Sequence, residues 1–241
     1  MSTNSYLQLG SIEALVIRKP IKNLHLSVLP PAGRVRITAP KSMKDNAIRT
    51  LISTRLPWIK RQQEKFTKQE RQTKRDYTSG ESHYFFGKRY RLELINENTV
   101  PTVFLKNKSK IILQTRHNSS VNKRREIMTE WYREQLRPIA EELITKWQEE
   151  IGVQTNFWGI RQMKTRWGTC NYKDVRILIN LELAKKPISC IEYVIVHELL
   201  HLVEKKHSDK FITLMTKYIP KWKSIKNELN SFILSHEKWN Y

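Results

Sequence analysis

The chain is poor in cysteine, poor in acidic residues and without any long apolar run. Its 241 residues include two cysteines, Cys170 and Cys190, which do not form a CxxC pair. That is too few for a disulfide framework, and both read as small buried apolar side chains. No stretch approaches the ~20 apolar residues that cross a bilayer, so no membrane helix is expected. The opening MSTNSYLQLG lacks the basic start and apolar core of a secretory signal, which makes a reducing cytoplasm the expected setting. Acids are outnumbered, with 23 Asp and Glu against 44 Lys and Arg, for a net charge of +21. A surface of that sign attracts polyanions. The basic residues are nevertheless scattered, and no RNP motif or C2H2 finger is present. Nucleic acid is therefore an expectation that rests on charge alone.

What the chain does have is a hydrophobic content of 39% and an aromatic content of 10%, the composition of a folded globular protein. Residues Ile12 to about Thr38 alternate apolar and polar, with PPAG (Pro30–Gly33) as a turn, and predict a small antiparallel sheet. From Lys44 the apolar spacing becomes helical (Ile48, Leu51, Ile52, Leu56, Ile59). Pro57 is expected to end one helix and start another. Residues 60–75 read as an exposed basic helix and linker. Tyr77–Ile95 carries strand-like aromatic runs, and Val103–Gln114 a hairpin around Asn107–Ser109. A long amphipathic helix follows through Trp131, Leu136 and Trp147, with an expected interruption near Pro138. Strands are next expected at Gly159–Trp167 and Val175–Leu181, then a buried helix and two shorter ones. Strands first and helices later predict an α+β fold. The expected division is a β-rich region over 1–120, with a basic helix at about 43–75, and a second domain over 121–241. No internal repeat is visible in the sequence.

The stretch HELLHLVEKKH (His197–His207) holds three of the seven histidines. It lies on a helix whose apolar residues point in nearly every direction, the pattern of a buried helix. Ser189 and Glu192 have the spacing of a capping box that would start it. His197 and His201 are one turn apart and share a face, the spacing at which two imidazoles reach one Zn²⁺. Glu198 lies beside them, within reach of water at the ion without being a ligand. A third ligand leaves one position open for chemistry. His207, just past the helix end and before a Ser208-Asp209 cap, is the leading choice. The spacing resembles the metzincin pattern HExxHxxGxxH, with Glu204 where that pattern has Gly. The alternative takes a glutamate from a later helix, Glu228 or Glu237.

Further motifs then fall in order: RWGTC (Arg166–Cys170), ILINLEL (Ile177–Leu183), IEYVIVHELLHL (Ile191–Leu202) and HSDKF (His207–Phe211). In order and spacing they resemble the YgjP-like metallopeptidase family, within the wider SprT-like and minigluzincin zincins. Trp58-Ile59 and Ser79–Leu94 extend the likeness to the N-terminal half, and Thr169 stands where the family usually has Ser. The resemblance implies a compact zincin-like core of a small sheet and an active-site helix, one Zn²⁺ per chain, and His207 as third ligand. The mechanism implied is metal-assisted hydrolysis of a peptide or protein substrate, with Glu198 as general base. Tyr193, Arg166 and Tyr172 are the choices for stabilising the oxyanion. An extended substrate is expected to add to an open edge at Val175–Leu181. The alternative expectation is a DNA- or chromatin-associated protein whose basic surface binds nucleic acid; a SprT-like protease acting on DNA-bound proteins would join the two.

Overall fold

Period-two apolar runs form strands and the 3.6-residue runs form helices, as a computed structural model describes for residues 3–29, 33–68, 75–163 and 166–231. The described residues fall into two compact units, 3–68 and 75–231. Each has its own buried core. No helix among them is long and apolar enough to cross a membrane.

The first unit contains β1 (Thr3–Leu9), β2 (Ile12–Lys19), β3 (His25–Leu29), β4 (Arg34–Pro40) and α1 (Asp45–Lys68). Its sheet has the order β1-β2-β4-β3, with β2 and β4 parallel and the outer pairs antiparallel. Ala14, Val16, Val35, Ile37 and Ala39 alternate onto one face and meet Ile48, Ile52 and Ile59 of α1 in a closed core. Contrary to expectation, Pro57 does not divide α1. It lies on the exposed side, where the carbonyl its ring leaves unpaired can turn to water.

The second unit begins with β5 (Ser82–Phe85), β6 (Lys88–Asn96), β7 (Thr102–Lys106), β8 (Lys110–Thr115) and α2 (Val121–Ile151). The sheet order is β5-β6-β8-β7, again with the central pair parallel and the outer pairs antiparallel. The two units thus share one ββββα topology, each closed by a long helix with an internal proline, Pro57 or Pro138. The repeat lives in the topology, because the two sequences bury different side chains. Strands β5–β8, grouped on sequence with the N-terminal region, contribute Phe85, Tyr90, Leu92, Ile111 and Leu113 to the same core as Trp131, Leu136 and Ile144 of α2. Pro138 lies within a continuous α2.

A third, smaller sheet comprises β9 (Phe157–Arg161), β10 (Gly168–Asn171) and β11 (Arg176–Asn180), in the order β10-β11-β9. A 3₁₀ turn (Leu181–Lys185), α3 (Ile188–Val203), α4 (Asp209–Tyr218) and α5 (Trp222–Ser231) complete the unit. The β5–β6 turn is docked on the entry to α3. Phe86 and Gly87 are both left-handed, with φ of 42° and 80°, as a two-residue hairpin requires. Phe86 N–H donates to the Ala184 carbonyl at 2.9 Å. A Cβ on Gly87 would come within 2.8 Å of the Pro187 ring, so only glycine allows so close an approach.

Candidate metal centre

Helix α3 is buried on most sides, with Cys190, Ile191, Val194, Ile195, Val196, Leu199 and Leu200 all in the core. Its start differs from the expected capping box. Pro187 occupies the N-cap position, without a side-chain cap. Glu192 instead accepts from the Trp147 indole N–H at 2.9 Å and from Lys146 Nζ at 3.0 Å. A largely buried indole needs an acceptor, and that need takes the carboxylate away from the helix end.

His197 and His201 lie side by side on α3, their ring centroids 4.9 Å apart. The chain leaves α3 through Glu204, whose backbone is extended with φ of −136°. The turn therefore needs no glycine at that position. Ser208 caps α4 by accepting the Phe211 N–H at 3.4 Å, and His207, just before it, is turned back onto the helix. His207 Nε2 lies 3.0 Å from His197 Nε2. One ligand atom from each of His197, His201 and His207 falls within 4.8 Å of the others. Among the described residues these three form the cluster. Glu228, the alternative third ligand, acts electrostatically on Cys190 near the start of α3 and is not among the three clustered ligands, and Glu237 lies outside the described residues.

Burial governs the protonation of the helix histidines in this cluster. Burial, then His201, His207 and Lys226, push His197 down to about 3, and burial likewise lowers His201. The two helix imidazoles, His197 and His201, are thus held neutral, the state in which histidine ligates metals. The Glu204 carbonyl lies 3.1 Å from His201 Nδ1, fixing the tautomer that leaves Nε2 free, the arrangement usual for a metal-bound histidine. Three convergent imidazole nitrogens fit a zinc-type ion. Glu198 is 7% exposed and is pushed up to about 8 by burial, against the opposing pull of Arg166.

The three residues considered for the oxyanion are placed differently. Arg166 and Tyr193 each act electrostatically with Glu198, and Tyr193, pushed up to about 12 by burial, keeps its hydroxyl proton. Tyr172 is exposed, under the Lys205 ammonium 4.2 Å from its ring centroid. The expected open edge at Val175–Leu181 is not one. Strand β11 is the middle of its sheet, flanked by β9 in parallel and β10 antiparallel, and β10 is the edge next to Glu198.

Two residues that no chemical argument singled out shape the site. A Cβ on Gly168 would lie 2.7 Å from both Cγ and Oε1 of Glu198, so β10 passes directly against the carboxylate. Asn180 is wholly buried. Its amide donates to the carbonyls of Met163 (2.8 Å) and Arg166 (2.7 Å), and its oxygen accepts the N–H of Met163 and of Glu182, both at 3.2 Å. It thereby holds the backbone that carries Arg166. Both lie inside the RWGTC and ILINLEL motifs, which were the available signal.

Three histidines that could hold one metal ion lie next to a buried carboxylate in a mixed α+β protein, an arrangement suited to metal-dependent hydrolysis. The model of the YgjP-like metallopeptidase domain matches residues 22–232, and the chain belongs to that family. It is a metallopeptidase. Two solved structures are similar to it in part. One is the metallopeptidase zymogen abylysin of Pyrococcus abyssi, 22% identical, covering 40% of this chain and 97% of that one, with a TM-score of 0.37. The other is the metallopeptidase zymogen jannalysin of Methanocaldococcus jannaschii, 17% identical, covering 38% and 87%, with a TM-score of 0.34. At such scores the assignment rests on the family match alone. No curated protein matches the chain.

Proposed function

We propose that the chain is a zinc-dependent peptidase in which His197, His201 and His207 hold the metal and Glu198 is the general base. The supporting observation is the convergence of the three imidazoles within 4.8 Å on the helix that also carries Glu198. Zinc, when bound, polarises the scissile carbonyl and makes water a nucleophile at neutral pH. Glu198, wedged against the backbone of β10, takes the proton of the attacking water and returns it to the departing amine. Arg166 and Tyr193 are the donors available to the developing negative charge. An extended peptide pairs with the free edge of β10 and so runs past Gly168. The third sheet with α3 and α4 is, on this reading, a zincin-like core, and the reducing cytoplasm its working compartment.

Glu198→Gln keeps the shape of the side chain and removes the base. It is expected to bind one equivalent of zinc and to lose peptide hydrolysis; undiminished cleavage by this variant overturns the role. His207→Ala is expected to weaken zinc binding, measured by metal analysis after dialysis.

One observation favours a second partner. Residues 1–72 hold 14 Lys and Arg against 4 Asp and Glu. Tyr6, Arg34 and Arg36 are exposed on the side of the first sheet away from its core. Nucleic acid is the polyanion such a surface suits, and its binding should weaken linearly with log salt at a slope counting the phosphates neutralised. Absence of binding even at low salt removes this reading.

A further inference from the structure

Building on the metal-site reading, we propose that Phe211 is a positioning residue that orients all three zinc-binding imidazoles at once. Its ring centroid lies 5.0 Å from that of His197, 4.8 Å from His201 and 4.8 Å from His207. The histidine centroids are themselves 4.9, 4.9 and 4.8 Å apart. The four rings therefore stand at the corners of a nearly regular tetrahedron, with Phe211 the one corner that cannot bind metal. Its ring stacks on His201 at 27° and meets His197 and His207 edge to face at 73° and 82°.

The need for such a residue follows from what holds the histidines. Rotation of an imidazole about its Cβ–Cγ bond is soft, so helical spacing brings two rings together without setting their planes. A metal-ligating histidine is ordinarily oriented through a hydrogen bond on its other nitrogen. Among the described residues His201 has that bond, to the Glu204 carbonyl. The ring nitrogens of His197 and His207 are bonded to each other, a contact that a metal would replace. Their planes must be held by packing, and among the described residues Phe211 is the ring outside the histidine cluster that lies against both. Phe211 is itself well fixed. It is 3% exposed, and its N–H donates to Ser208 Oγ, the cap that also sets the turn carrying His207.

The test compares Phe211→Leu with Met215→Ala. Met215 is one turn further along α4 and 1% exposed, so its truncation loosens the same helix from a different position. Zinc affinity is measured by competition with a chromophoric chelator, and ligand geometry by the visible spectrum of the cobalt-substituted protein. Thermal melting of the metal-free protein reports stability. Phe211→Leu is expected to weaken zinc binding by about 10–100-fold, the usual effect of removing an orienting partner, and to shift the cobalt bands. Met215→Ala is expected to lower the melting temperature while leaving zinc affinity within about threefold, well short of that loss. If Phe211→Leu does not fold, Phe211→Met is read in the same way. Wild-type zinc affinity and cobalt spectrum in the Phe211 variant overturn the proposal, as does an equal loss of affinity in Met215→Ala. A wild-type protein that takes up no zinc refutes the metal-site reading itself, before any variant is compared.

Discussion

Replacing Gly168 by Ala adds a single methyl group at the point where β10 meets Glu198. The backbone of Gly168 is not left-handed, so alanine is conformationally allowed and the effect is steric. The new Cβ would lie 2.7 Å from Cγ and Oε1 of Glu198 and 2.9 Å from Cγ1 of Val194, an overlap of about 0.7 Å relative to ordinary carbon contacts of ~3.4 Å or more. Val194 is part of the buried face of α3 and has little room to retreat. Glu198, though 7% exposed, borders the site, so its carboxylate is the group expected to move. Overpacking of this kind costs about 1–3 kcal/mol, or roughly 2–12 °C in melting temperature for a chain of this size. A displacement approaching ~1 Å at a reacting group costs about 100-fold in rate. The histidines are not touched, so zinc content should stay at one equivalent while kcat/KM for a peptide substrate falls about 100-fold. The assay pairs metal analysis with peptide hydrolysis on the same preparation. Full activity with an unchanged melting temperature would refute the argument that β10 fixes the carboxylate.

Two further outcomes test the surroundings of the site. Asn180→Leu keeps the volume and removes the hydrogen bonds that Asn180 makes to Met163 N–H, Met163 C=O and the Arg166 carbonyl. With each stranded, part-buried group costing towards the low end of about 1–3 kcal/mol, chemical unfolding should show a loss of roughly 2–4 kcal/mol, and a neutral result would mean that this loop is not held by Asn180. His83 supplies a pH signature. It is 2% exposed, and burial, with Arg75 and Lys185 nearby, pushes it down to about 3 from an ordinary 6.5. Its folded-state pKa is depressed, so the cost is absent above pH 6.5 and grows as pH falls, when only the unfolded chain takes the proton. Between pH 6.5 and 5 this amounts to about 2 kcal/mol. His83→Phe should therefore lose about that much less stability than wild type over the same interval, with other histidines contributing equally to both. Parallel pH profiles would show that His83 is not held neutral in the native state.

The histidine cluster was readable to the extent that its spacing is local. His197 and His201 are a helical turn apart, and Ser208 marks the cap that aims His207. Those features are set by backbone periodicity within a dozen residues. The start of α3 was misread for the opposite reason. Ser189 and Glu192 have the spacing of a capping box, but Glu192 is drawn to Trp147, 45 residues earlier, and no local pattern reports a buried indole in search of an acceptor. Pro57 was overread because its effect depends on which side of the helix faces water. The edge at β11 was misplaced because β9 pairs with it in parallel from the far side, and a parallel partner leaves no hairpin signal in the sequence.

The shared ββββα topology points to what lets the second unit bring the histidine cluster together. In both units a long helix closes one face of a four-stranded sheet. Helix α1 has 24 residues and hydrogen-bonds back to its own unit's sheet and turn, through Arg49 to the Gln8 carbonyl and Gln63 to the Gly33 carbonyl. Helix α2 has 31 residues, about 10 Å more at 1.5 Å per residue. Along that length it is attached to three different elements. Tyr132 donates to the Tyr84 carbonyl of β5 at 2.9 Å, Arg133 to the Ile160 carbonyl of β9 at 2.7 Å, and Trp147 to Glu192 of α3 at 2.9 Å. The second sheet, the third sheet and the histidine-bearing helix are thus tied to one rod. The Trp147 attachment lies in the last two turns of α2. Glu192 and His197 are on the same helix, so a register change in α2 beyond Pro138 would be transmitted through Trp147 to the imidazoles. An alanine inserted after Pro138 should therefore disturb zinc binding without touching any ligand, whereas one inserted in α1 after Pro57 should leave zinc affinity as it was.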